Sequence, residues 1–224
     1  MARQSRELAD DCIYHALNRG NCRMDIFEKP ADFAAFIKLL EEARRRADMR
    51  ILGYCLMSNH WHLVLWPRKG KDLSRFIGWL CTTHVRRWRA HRANVGEGHL
   101  YQGRFKSFPV QDDEHFLKLM RYVEANPLRA GMVETAQSWP WSSLAAAPGA
   151  EGVRVQLESW PVDRPVQWTR IVNQTLDRES LNQLQLSVQR SRPFGSPNWT
   201  QRIVKRLGLE STIRNPWRPN KRAD

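Results

Sequence analysis

Residues 54–66 read Tyr-Cys-Leu-Met-Ser-Asn-His-Trp-His-Leu-Val-Leu-Trp. Two apolar runs, 51–57 and 61–66, are parted by the turn-forming pair Ser58-Asn59, a pattern that predicts a tight antiparallel hairpin. Side chains alternate across a strand, so His60 and His62 point to one face while Trp61, Leu63 and Leu65 point to the other. Two convergent imidazoles make a two-point metal ligand with coordination positions left for a substrate. Taken alone, the pair reads equally well as two polar residues on the wet face of a strand.

The surrounding pattern sets the fold. A strand is expected over 11–17, ending at the turn-prone Asn18-Arg-Gly-Asn21. A helix over 31–47 carries Phe33, Phe36, Ile37 and Leu40 on one face, and a second over 73–91 turns Ile77, Leu80, Cys81 and Trp88 inward. A fourth strand follows over 104–110. The order βαββαβ is that of a split βαβ, ferredoxin-like antiparallel sheet. Its second hairpin strand is normally central, which places His60 and His62 on a rigid element. Leu63, Val64 and Leu65 lack clean alternation, as suits a strand covered on both faces.

A second segment, Phe116-Leu-Lys-Leu-Met-Arg-Tyr-Val-Glu-Ala-Asn-Pro-Leu-Arg-Ala-Gly131, predicts an amphipathic helix, with Phe116, Leu119, Met120 and Val123 at i, i+3, i+4 and i+7. Asp112 or Asp113 can cap its start, and Pro127 marks its stop. Tyr122 and Asn126, four apart, lie one above the other, roughly 40° apart around the axis. A phenol and an amide so placed could supply a nucleophile and an oxygen donor to a metal. The alternative is an interfacial tyrosine with an asparagine ending its helix.

Taken together, His60-Trp61-His62 resembles the HUH motif of single-strand DNA nicking enzymes. Tyr122 within Tyr-x-x-x-Asn-Pro-x-Arg-Ala-Gly resembles the single-tyrosine branch, the REP-associated tyrosine transposases. Gly103-Arg-Phe-Lys106, Trp139-Pro-Trp-Ser-Ser143, Arg192-Pro-Phe-Gly195 and Arg202-Ile-Val-Lys-Arg-Leu-Gly208 extend the likeness over nearly the whole chain, thinnest over 148–175. The resemblance implies a divalent metal, Mg²⁺ or Mn²⁺, on His60, His62 and Asn126. It implies Tyr122 as nucleophile, a 5′-phosphotyrosine intermediate with strand transfer, and hairpin-forming REP-like single-stranded DNA as substrate. Tyr101 is the rival nucleophile among four tyrosines, and His115, two helical turns before Tyr122, is a candidate to approach the site, although surface exposure is the commoner place for such a histidine.

Charge agrees with a nucleic-acid partner. The net charge is +13 and the pI near 10.3, and such one-sided charge implies an anionic partner. Residues 68–106 hold ten Lys or Arg against two acids. Arg86, Arg87, Arg89, Arg92, Arg104 and Lys106 form one candidate backbone-binding cluster, and Arg202, Lys205 and Arg206 another. Trp88 and Trp217, beside arginines, suit base stacking, although packing is the commoner use of tryptophan. Cys12, Cys22, Cys55 and Cys81 show no zinc-like spacing, and Cys12 and Cys55 read as small buried residues in strands. No apolar run approaches a membrane span, and the N-terminus is no signal peptide, so a cytoplasmic, nucleoid-associated protein is expected.

The expected class is therefore α+β, a ferredoxin-like sheet with an added tyrosine-bearing helix and a C-terminal helical, basic extension. Residues 1–147 form the nuclease unit, 148–189 a loop-rich connection with a helix over 168–189, and 190–224 a basic tail with a helix over 197–209. The appendage favours a monomer with its tyrosine in cis. Two rivals remain. A non-catalytic nucleic-acid binder could use the same sheet, although the Lys/Arg-Gly-Phe pattern of sheet-type RNA binders is absent. A metal-dependent hydrolase also begins with His-x-His on a strand, yet needs a larger barrel and further ligands.

Overall fold

A computed structural model describes residues 7–92, 98–145 and 154–214. Strand β1 (Ile13–Arg19) leads to helix α1 (Pro30–Ala47), the hairpin β2 (Arg50–Met57) and β3 (His60–Trp66), helix α2 (Gly70–Arg92) and β4 (Lys106–Val110). Helices α3 (Glu114–Glu124), α4 (Asn126–Arg129), α5 (Trp168–Asn173), α6 (Arg178–Arg190), α7 (Pro197–Arg206) and α8 (Glu210–Ile213) follow. The sheet order is β2-β3-β1-β4, and every pair is antiparallel. The fold is thus the expected α+β antiparallel sheet of ferredoxin-like order, with β3 inside the sheet.

Alternation divides the sheet into two cores. Trp61, Leu63 and Leu65 of β3 face α1 and α2 in one core, with Tyr14, Tyr54 and Tyr101. Val64 faces the other, which holds Phe116, Leu119, Met120, Tyr122 and Val123 of α3 together with Trp168, Val172 and Leu184 of the C-terminal helices. The histidines share this second face. The lack of alternation at Leu63-Val64-Leu65 follows, since both faces are covered. Among the described residues no helix is long and apolar enough to cross a membrane.

Helix α3 reaches the sheet through a local irregularity. The pairing of β2 with β3 slips between Ile51 and Gly53, a bulge that sends Leu52 into the second core. A Cβ on Gly53 would lie 2.3 Å from Cε of Met120, so the missing side chain lets α3 lie flat against β2. Asp113 caps α3 by accepting a hydrogen bond from the His115 amide at 2.8 Å. The expectation that Pro127 ends the helix needs correcting in part. The chain breaks at Ala125 (φ −82°, ψ 0°), and Pro127, with no amide hydrogen and φ already set, opens the extra turn α4. Gly131, at φ +68°, closes that turn in the left-handed region open to glycine.

Other boundaries shift for similar reasons. β1 runs two residues further than 11–17, which brings Arg19 into the sheet, and Cys12 precedes the strand and is only half-buried. The helix expected over 168–189 is two, because Asp177 caps a fresh start at α6 by accepting from the Ser180 amide at 2.7 Å. The helix expected over 197–209 ends at Arg206, before Gly208 at φ +59°.

Both sheet edges are covered, which blocks edge-to-edge pairing. The 139–143 segment lies along β2, with Leu56 donating to the Trp141 carbonyl and Ser143 to the Tyr54 carbonyl, both at 2.9 Å. Phe194 does the same at β4 through bonds of 2.9 Å to Pro109 and Gln111.

Candidate active site

The second face of β3 carries two rings in contact. His60 and His62 meet edge to face with centroids 4.9 Å apart. Tyr122 of α3 completes the cluster, its ring perpendicular to His62 at 6.1 Å. The helix and the strand thus bring together the phenol and the imidazole pair that the sequence singled out. Tyr14, Tyr54 and Tyr101 lie in the opposite core. The Tyr101 hydroxyl accepts from Trp61 Nε1 at 3.1 Å and pairs with His84 Nδ1 at 2.6 Å, and burial holds its pKa well above the usual phenol value. That placement sets Tyr101 on the side of the sheet away from the histidine pair.

Each histidine of the pair has one ring nitrogen engaged from behind. His60 Nδ1 donates to Asn59 Oδ1 at 2.6 Å. His62 Nδ1 is 2.8 Å from Nε2 of His15, a fully buried residue of β1. Both Nε2 atoms are thereby left for a ligand. Burial, then the nearby cations Arg19 and Arg129, pushes the His60 pKa down to about 4. Burial, then His60 and His15, lowers His62 well below the usual value. Both rings are neutral at neutral pH, the state a metal needs.

Asn126 sits one turn beyond Tyr122. Its amide nitrogen donates to the Tyr122 carbonyl at 3.2 Å and to the Val123 carbonyl at 3.4 Å. Its Oδ1 accepts from Arg129 at 2.8 Å, which leaves that oxygen a second lone pair. Among the described residues no group of three or more His, Cys, Asp or Glu side chains could hold a metal ion. Imidazole nitrogens and an amide oxygen are donor types that divalent ions accept.

Three residues of the site carry no signal in the reading of catalytic types. Arg129 lies over the Tyr122 ring, its guanidinium carbon 4.2 Å from the centroid, and it also donates to the Tyr122 carbonyl at 3.0 Å. Arg19, paired across the sheet with His60, has a buried Nε without a partner among the described residues. His15 is the third. Burial raises the Tyr122 pKa, and the charges of Arg129 and Arg19 partly offset it. The available signals were modest: Arg129 stands seven after Tyr122 in the quoted motif, and His15 and Arg19 share strand parity.

The basic residues are placed differently from one another. On α2, Arg86 is exposed, whereas Arg87 pairs with Glu42 at 2.9 Å and Arg89 donates to the Gly98 carbonyl. Arg92 pairs with Asp32 and Glu28 at 3.0 and 3.3 Å and stacks on Trp88. Trp88 is buried and donates to the Ile26 carbonyl, so it is no stacking platform for a base. α2 covers the face opposite the histidines. Arg104 is exposed, and the exposed Lys106 donates to the Gln189 carbonyl. Arg202, Lys205 and Arg206 are exposed on α7. His115 is held by Asp113 and packs on Phe194. Trp217 lies outside the described residues.

Comparison with known proteins places this arrangement. A Haemophilus influenzae protein described as a candidate REP-associated tyrosine transposase is 26% identical over 117 residues, which span 49% of this chain and 65% of that relative. A solved structure of a REP-associated tyrosine transposase bound to a REP hairpin superposes with a TM-score of 0.51 at 14% identity, covering 73% of this chain and 95% of the other. That likeness is one of fold. The model of the family described as "Transposase IS200 like" matches residues 9–126, more than half of the chain and all of the segment from β1 through Tyr122 and Asn126. The chain therefore belongs to the IS200-like transposase family.

Proposed function

We propose that this protein is a divalent-metal-dependent enzyme that nicks single-stranded DNA at hairpin-forming, REP-like repeats and transfers the strand through a 5′-phosphotyrosine intermediate. The observation that carries the proposal is Tyr122 set edge-on to His62, beside two imidazoles whose Nε2 atoms are left for a ligand. The hairpin preference is drawn from the solved relative, whose DNA is a REP hairpin.

His60, His62 and Asn126 would hold the ion. Such an ion, Mg²⁺ or Mn²⁺, would supply Lewis-acid polarisation of the scissile phosphate. Tyr122 attacks phosphorus. A bond forms between its phenolic oxygen and phosphorus, and the bond from phosphorus to the 3′ oxygen breaks. The phenol gives up its proton and the departing 3′ oxygen gains one, so the step is a transesterification. The phosphotyrosine keeps the energy of the phosphodiester, and a later 3′ hydroxyl can attack it without ATP. Arg129 holds the phenol ring from above and, with Arg19, supplies positive charge where the phosphorane develops negative charge. Arg19 stands across the sheet from His60, its Nε buried without a partner among the described residues.

DNA backbone contacts fall to Arg86, Arg104, Arg202, Lys205 and Arg206, which keep exposed charge, while Lys106 already donates to the Gln189 carbonyl. Arg87, Arg89 and Arg92 contribute less, because carboxylates or a carbonyl already occupy them. The test is covalent capture. Incubated with hairpin-bearing single-stranded oligonucleotides and Mg²⁺ or Mn²⁺, the protein should give a denaturation-resistant DNA adduct that disappears with EDTA and in Tyr122→Phe. Binding without an adduct across metals and repeat sequences would turn the reading to a DNA-binding module.

A further inference from the structure

His15 does something for His62 that packing does not require. It is fully buried on β1, two positions away in register from His62, which pairs with Leu17. The two rings lie nearly parallel, 13° apart with centroids at 5.0 Å, and Phe108 closes the far side of His15 at 4.9 Å. His15 Nε2 meets His62 Nδ1 at 2.8 Å. Its own Nδ1 is buried with no hydrogen-bond partner among the described residues. That orphaned nitrogen is a cost a phenylalanine would not carry, but a phenylalanine would instead strip the buried His62 Nδ1 of its partner.

Resting on the metal site proposed above, we propose that His15 is a positioning residue that orients His62 and fixes its tautomer for metal binding. A hydrogen bond between two neutral imidazoles needs one donor and one acceptor. For His62 Nε2 to offer a lone pair, its Nδ1 must carry the proton and donate it to His15 Nε2. His15 then holds its own proton on Nδ1. With the direction reversed, His62 carries its proton on Nε2 and cannot ligate. His15 thus stands where ligating histidines commonly have a carboxylate, a carbonyl or water.

The experiment uses the full chain and Mn²⁺ alone, followed through the free-ion signal by electron paramagnetic resonance. His15→Phe should weaken Mn²⁺ binding by about 10- to 100-fold while the far-ultraviolet dichroism stays unchanged. His15→Gln, whose carbonyl can still accept from Nδ1, should recover part of that loss and serves as the test if the phenylalanine variant does not fold. Nitrogen–proton correlation spectra of the Mg²⁺-loaded protein should show His62 protonated at Nδ1. Unchanged Mn²⁺ affinity in folded His15→Phe, where His62→Ala abolishes binding, overturns this proposal and leaves the metal site standing. A wild-type chain that binds no Mn²⁺ overturns both.

Discussion

At the scale of single residues, the site is organised as much by Arg129 as by the residues whose chemistry is obvious. One guanidinium covers the Tyr122 ring, holds the Tyr122 carbonyl and occupies one lone pair of Asn126 Oδ1. Arg129→Gln should therefore lower the rate of adduct formation by about 10²-fold, the scale seen when one preorganised transition-state donor is lost, with little change in hairpin affinity. Arg129→Lys should recover little, because an ammonium cannot cover the ring and bridge two acceptors at once. Single-turnover cleavage beside a binding titration checks both, and a rate loss that only mirrors weaker binding would refute the assignment. His60 and His62 were legible in the sequence because strand alternation puts both on one face, and Tyr122 because it edges an apolar helical stripe; Asn126 opens the separate turn α4 and is tied to Tyr122 through that residue's carbonyl. His15, Arg19 and Arg129 were not, since an arginine in a basic chain or a histidine in an apolar strand is ordinary until its neighbour is known.

At the scale of elements, the tyrosine helix is fixed by a buried carboxylate. Glu124, 1% exposed, accepts from Ser143 Oγ and Trp168 Nε1, both at 2.7 Å, and so ties α3 to the segment along β2 and to α5. Burial raises its pKa, and the two donors only partly oppose this. Glu124→Ala would leave the buried Trp168 Nε1 without an acceptor, while Ser143 Oγ can still donate to the Tyr54 carbonyl at 3.1 Å, and a loss of about 1–3 kcal/mol in unfolding free energy is expected; urea denaturation measures it. An unchanged midpoint would mean that α3 is held by apolar packing alone. The hairpin was legible because the turn pair Ser58-Asn59 parts two apolar runs, and the two long helices and α3 because each has one apolar face. The split between α5 and α6 and the turn α4 were not. Their breaks depend on a cap at Asp177 and on Pro127 reopening a helix, choices that tertiary contacts decide.

At the scale of the whole molecule, charge and burial set how the protein responds to its solvent. The basic composition pointed to an anionic partner, but composition could not separate Arg202, Lys205 and Arg206, exposed on α7, from Arg87 and Arg92, committed to α1. Replacing the three α7 cations by glutamine should lower the slope of log affinity against log salt by about 2–3 for hairpin DNA, and an unchanged slope would remove α7 from the interface. Acid should act on the interior instead. His84 is buried, and burial, followed by the charge of Arg92, lowers its pKa to about 3. In the unfolded chain that value returns to about 6.5. The unfolded state then binds the proton first as pH falls, so the stability His84 contributes is complete above about 6.5 and drains away toward 3. Between pH 7 and pH 5 this one residue should account for about 2 kcal/mol of lost stability. His84→Gln, less stable at pH 7 for want of its bond to Tyr101, should lose about 2 kcal/mol less than the wild type over that interval. Parallel losses in urea titrations at the two pH values would show that the linked proton binds elsewhere.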